Sequence, residues 1–158
     1  MLHILCGKMA SGKSTLAKKL KEEHSAILIS EDTWLARLYE NEINTFEDYI
    51  KHTKSLRAVL FEHIVDLLRK DIDVVLDFSA NTMRQRLWFR KIFEEANVDH
   101  TLHYVVASDE LCKKQLLERS KELPKGTKFT TEEEFDMITQ YFEEPLEKEG
   151  FNLKSYEG

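Results

Sequence analysis

An α/β domain with a parallel sheet covered on both faces is what this chain encodes, and three features say so. Short apolar runs alternate with longer stretches of helical period, as in βαβ units. The runs are apolar on both sides, which suits strands with two covered faces. Polar and charged residues of chemical interest cluster just after the runs, where ligands bind in open α/β sheets.

Taken in order, the runs Leu2–Cys6, Ala26–Ser30, Asp73–Asp77 and Leu102–Ala107 predict four buried strands. Helical patterns fall between and after them at Ser14–Glu23, Asp32–Glu42, Phe46–Lys70, Met83–Ala96 and Asp109–Lys121. In the longest, Phe46, Tyr49, Ile50, Leu56, Leu60, Ile64 and Leu67 recur three or four apart and make one apolar stripe. A last helix is expected over Thr131–Phe142, opened by a Thr131/Glu134 capping box and closed before Pro145. The tail, Phe151–Tyr156, reads as a fifth, edge strand. Right-handed crossovers then give a three-layer α/β/α domain.

Composition narrows the function classes. The 158 residues are 42% hydrophobic and 33% charged with a net charge of −6, enough for one domain (1–158) with its own core. That acidity argues against wholesale coating of nucleic acid or membrane. No stretch reaches the about 20 apolar residues of a membrane span, and Cys6 and Cys112 are too few for a disulfide framework. A cytoplasmic protein with reduced, buried thiols is expected. Six basic against two acidic residues over Lys113–Lys128, and four basic residues with no acid over Arg84–Lys91, point to a defined anionic ligand. The six histidines show no zinc-ligand spacing.

One motif sets the class. Gly7-Lys8-Met9-Ala10-Ser11-Gly12-Lys13-Ser14 fits G-x-x-x-x-G-K-[ST], follows an apolar strand and opens an amphipathic helix. Its glycines let successive amides turn toward phosphate oxygens, and the helix N-terminus adds partial positive charge. Residues Gly7 to Thr15 are therefore the candidate ATP cradle, with Lys13 reaching the β- and γ-phosphates and the Ser14 hydroxyl on Mg²⁺. Asp77 ends a strand and is the second metal-side candidate. The chain lacks an Asn-Lys-x-Asp guanine motif, and Phe78 stands where a motor ATPase carries Glu.

A small phosphotransferase remains, and it needs a base near the acceptor and a cationic lid. Asp32, at the start of the helix after the second strand, is the expected base, with Glu31 as its alternative. Arg119 precedes a loop-like basic stretch at 120–128 and is the expected lid cation, within a lid of about 113–130. Arg37, Arg84 and Arg86 are the acceptor-side candidates. Trp34, Trp88 and Phe89 offer aromatic walls, although core packing is the commoner use of such residues.

These pieces resemble the small kinases related to polynucleotide 5′-hydroxyl kinases, chloramphenicol phosphotransferase and zeta toxins. The likeness runs through GKMASGKST at 7–15, SEDTW at 30–34, VVLDFSANTMRQRLWFR at 74–90, LLERS at 116–120 and FTTEEEFDMITQYFEEP at 129–145. It implies a P-loop NTPase fold with an adenylate-kinase-like strand order 2-3-1-4-5. It also implies Asp32 as proton acceptor, Asp77 beside the metal, Arg119 in the lid, and Arg84 or Arg86 among the basic residues after the third strand. Where polynucleotide kinases show an Asp-x-Thr-Asn-like run, this chain has Asp77-Phe78-Ser79-Ala80-Asn81-Thr82, so a nucleic-acid 5′ end is an alternative acceptor and not the favoured one. The expected reaction moves the γ-phosphoryl of Mg-ATP to a hydroxyl of a small-molecule or nucleotide-type acceptor. A non-catalytic ATP-binding regulatory module is the contrasting expectation.

Overall fold

A computed structural model describes residues 1–123 and 130–157. Five strands, β1 (Leu2–Cys6), β2 (Ile27–Ser30), β3 (Val74–Asp77), β4 (His100–Val106) and β5 (Leu153–Glu157), form one sheet in the order β2-β3-β1-β4-β5. Every pairing is parallel. The helices are α1 (Lys13–His24), α2 (Glu31–Leu38), α3 (Phe46–Arg69), α4 (Met83–Ala96), α5 (Asp109–Ser120) and α6 (Glu132–Thr139), with a 3₁₀ turn at Glu147–Glu149. The expected order 2-3-1-4-5 and the fifth strand are both borne out.

β1 is buried along its whole length, and strand alternation splits it between two cores. Leu2, Ile4 and Cys6 join Val74, Leu76, Leu102 and Tyr104 in the larger core with Leu56, Leu60, Ile64, Phe89 and Ile92 of α3 and α4. Leu5 and Val75 point the other way, against Ala17 and Leu20 of α1. A third, small cluster joins Cys112 and Leu116 of α5 to Phe135 of α6, with Met9 and Ala10 packed against it. Helix α5, where the expected lid begins, and α6, which follows it, thus pack against the turn after β1, while 124–129, with the basic Lys125 and Lys128, lie outside the described residues.

Helix starts follow their caps. Ser30, Thr82 and Ser108 each accept a backbone N–H of the first turn, and Thr45 and Thr131 make full capping boxes. Several expected bounds move. α2 stops at Leu38 rather than Glu42, ahead of Asn41 in the left-handed region at φ 64°. α6 ends at Thr139 rather than Phe142, whose ring leaves the helix to pack beside Tyr104. The α3 stripe also differs at its start. Ile50 is 53% exposed, and the buried face runs through Thr53, Leu56, Arg57, Leu60 and Ile64.

Candidate active site

The turn from Gly7 to Gly12 leaves the carboxyl end of the central strand and feeds α1. Its geometry depends on glycine at both ends. A Cβ on Gly7 would lie 2.7 Å from Ser11 Oγ and 3.0 Å from the Val105 carbonyl oxygen, so any larger residue there would force its neighbours to shift. Gly12 has open space but a φ of +108°, which L-residues rarely adopt. It caps α1 with no side-chain bond to the first-turn amides. An uncapped first turn with no acidic residue is an anion site by helix polarity. Ser11 is buried, and its Oγ has no hydrogen-bond partner. These features fit a phosphate chain wrapped by the turn.

Around the turn, other elements hold it in place. Gly7 N–H donates to Asn81 Oδ1 at 3.0 Å, from the loop after β3. Lys8 forms an ion pair of 2.7 Å with Asp109 at the start of α5 and lies over the Phe142 ring at 5.7 Å. Asn81 carries no spacing signal that would have singled it out. Burial pushes the Cys6 thiol up to about 11, which marks a packing residue and not a nucleophile.

The two metal-side candidates meet. Ser14 Oγ donates to Asp77 Oδ2 at 2.8 Å, across the gap between α1 and the end of β3. A hydroxyl and a carboxylate in contact beside the phosphate turn form the hard oxygen donor set that suits Mg²⁺.

Next along the edge, Ser30 pairs in register with Asp77, so the start of α2 stands beside the metal-side carboxylate. Asp32 keeps contact with solvent, yet the protein around its carboxylate strips away much of its hydration. That loss, with the Glu31 carboxylate, raises its pKa; Lys13 pulls it down, Asp77 raises it further, and Arg119 lowers it. Lys13, Asp32, Asp77 and Arg119 therefore share one electrostatic neighbourhood. Arg119 is exposed at the end of α5.

Glu31 is placed quite differently from its neighbour. It is 1% exposed, and Arg57 Nε donates to one carboxylate oxygen at 2.8 Å. Arg57 Nη2 and the Ser79 backbone N–H donate to the other. Arg57 also donates to the Ser79 carbonyl oxygen at 2.7 Å and sits against Phe78, Trp88 and Phe89. Both oxygens of Glu31 are committed to holding the loop after β3, which removes it as the alternative base. Arg57 has no motif signal, since within a helix it reads as one more surface cation.

Arg86 requires a correction. It was expected to meet an anionic acceptor, but it is fully buried. Its Nε and Nη2 donate to the two oxygens of Glu149, and Nη1 donates to the Ala80 carbonyl oxygen. Arg90 on the same face donates to the Glu149 carbonyl oxygen and lies over the Phe151 ring at 4.5 Å. The basic run over 84–91 is thus partly a latch for the chain before β5, not a free cationic strip. Arg84 and Arg37 are exposed, with no ion pair among the described residues. Of the aromatic candidates, Phe89 is buried, Trp88 stacks on Phe78, and Trp34 stays 39% exposed on α2. Tyr49, unremarked in the sequence beyond its stripe, sits near Glu31, Asp32 and Arg57, and burial raises its pKa well above the usual value.

The family model for the AAA domain AAA_33 matches residues 2–145. The chain belongs to the AAA_33 family. No curated protein matches it. Solved structures show the same fold at low identity. Chaetomium thermophilum Kti12 in complex with ADP-AlF3 has a TM-score of 0.69 and 19% identity, over 99% of this chain and 89% of that one. A sugar kinase from Janibacter sp. HTCC2649 has a TM-score of 0.68 and 16% identity, over 99% and 84%. The Mycobacterium tuberculosis APS kinase CysC in complex with AMPPNP and APS has a TM-score of 0.65 and 17% identity, over 99% and 87%. This AAA_33 member shares the fold of these structures. Among its described residues, no helix is long and apolar enough to cross a membrane.

Proposed function

We propose that this AAA_33 domain is an ATP-dependent phosphotransferase that moves the γ-phosphoryl of Mg-ATP to a hydroxyl of a small-molecule or nucleotide-type acceptor. The observation that carries the reading is the 2.8 Å contact of Ser14 with Asp77, which joins the phosphate turn to the strand edge where Asp32 stands. The turn amides and Lys13 bind and orient the phosphates. Ser14 and Asp77 would hold Mg²⁺, which supplies neutralisation of phosphate charge when bound. Asp32 accepts the proton of the acceptor hydroxyl as its oxygen attacks phosphorus, and ADP leaves in line. Lys13 and Arg119 stabilise charge on the transferred group.

A raised pKa suits this role, since a base closer to working pH shares its proton more evenly with the acceptor. The kinase neighbours support transfer chemistry on this fold. With Arg86 turned inward, Arg84 and Arg37 are the two of the three acceptor-side candidates that stay exposed to meet an acceptor.

Incubation with γ-labelled ATP and a panel of acceptors tests the proposal. The panel holds antibiotics, nucleotides, sugars, sugar nucleotides, APS and nucleic-acid 5′ ends. The expected result is label transfer to one class with matching ADP release. ATP binding with no acceptor-dependent ADP release across the panel would favour the regulatory module instead.

A further inference from the structure

The amino ends of the central strands, opposite the phosphate turn, gather a second polar cluster. His3 lies in β1, His24 is the last residue of α1, and Asp73 immediately precedes β3. Their ligand atoms all lie within 4.8 Å of one another. Far apart in the sequence, these residues have no motif spacing and meet only because α1 runs back under the sheet. His3 is 2% exposed, and its Nε2 has no hydrogen-bond partner among the described residues. A buried ring nitrogen left unpaired costs stability, and its presence calls for a partner.

We infer that His3, His24 and Asp73 form a binding site for a single divalent cation of the zinc class. Two imidazoles and one carboxylate, with a fourth position open to water, are an established donor set for zinc. Imidazole favours zinc-class ions over Mg²⁺, which keeps this site chemically distinct from the all-oxygen pair Ser14 and Asp77. Bonds of about 2.1 Å in a tetrahedron put donor atoms about 3.4 Å apart. His24 is exposed and Asp73 half-buried, so both can rotate inward while the buried His3 stays fixed.

The surroundings supply what a ligating histidine needs. With Nε2 on the cation, His3 Nδ1–H donates to His103 Nε2 at 3.0 Å, and His103 Nδ1–H donates in turn to the Tyr156 hydroxyl at 2.7 Å. Such an outer relay fixes the ring and its tautomer. The carboxyl end of α1 adds the negative pole of its helix beside the site. The Met1 ammonium, 2.9 Å from Asp73 Oδ1, is the competing cation.

The test is calorimetric titration of the untagged chain with Zn²⁺ in excess Mg²⁺. Thermal unfolding is followed with and without Zn²⁺, and Co²⁺ absorption reports coordination geometry. Wild type is expected to take up one ion and gain thermal stability. His24→Gln and Asp73→Asn should each weaken uptake at least about tenfold, the usual size of losing a metal ligand or its support. His63→Gln, an exposed histidine on α3, should bind as wild type does. No saturable uptake by wild type, uptake undiminished in His24→Gln, or equal loss in His63→Gln would each overturn the site. Since His24 is exposed, its substitution leaves the fold intact to be measured.

Discussion

Helix α1 has two poles, and they are built for opposite charges. At its start, the first-turn amides have no side-chain cap, a glycine at φ +108° admits them to the strand edge, and Lys13 stands ready beside them. At its end, two imidazoles and a carboxylate converge beside helix carbonyls. The first pole suits an anion and hard oxygen chemistry; the second suits a soft-to-borderline cation. On the two proposed readings one helix serves both ligands, one at each end. The difference teaches that helix polarity alone selects only the sign of a ligand. The side chains gathered around each pole decide its chemistry.

Substitutions at the two poles should separate them, beginning with the largest effect. Lys13→Ala should reduce phosphoryl transfer on the order of 10³-fold or more, read as initial rates at saturating acceptor. Asp32→Asn should lower transfer about 10³-fold while Mg-ATP still binds. In wild type the acid limb of the rate profile should sit above the ordinary carboxylate range. The sign follows from the chemistry: the base works only when ionised, and its raised pKa means activity is lost at a higher pH as acid is added. An unchanged rate in Asp32→Asn would move the base elsewhere.

Beneath the first pole, Arg57→Ala strands the buried Glu31 charge and should cost about 3 kcal/mol in chemical denaturation. A loss below about 1 kcal/mol would show that the pair is not what anchors the loop after β3. Arg119→Ala should slow transfer about 10²-fold with little change in nucleotide affinity. A change in affinity alone would make it a binding residue. At the second pole, His24→Gln in metal-free buffer should shift stability by no more than about 0.5 kcal/mol and leave transfer untouched. A large change in rate there would couple poles that the structure keeps apart.

How much of this could be read from the chain depends on locality. The phosphate motif is eight consecutive residues that run from the end of a strand into the first turn of a helix, so its geometry is written in one place. Strand order is implied by the family resemblance that this turn anchors, not by the βαβ alternation alone. Arg86 shows the opposite case. Beside Arg84, Arg90 and Lys91 it looks like part of a ligand surface, and only the return of Glu149 to the same helix turns it inward. Glu31 and Asp32 are neighbours with similar patterns, yet Arg57 on the next helix claims one and leaves the other exposed. The His3 cluster needs three elements and has no spacing at all. Contacts across long sequence separations assign these roles, and periodicity does not contain them.

Calorimetric titration of Mg-ATP into wild type, Asp32→Asn and Lys13→Ala addresses the phosphate turn most directly. Saturable binding of one nucleotide in the first two, and its loss in Lys13→Ala, is the predicted result. Absence of binding in wild type, or equal affinity in all three, would contradict a turn built to hold a triphosphate.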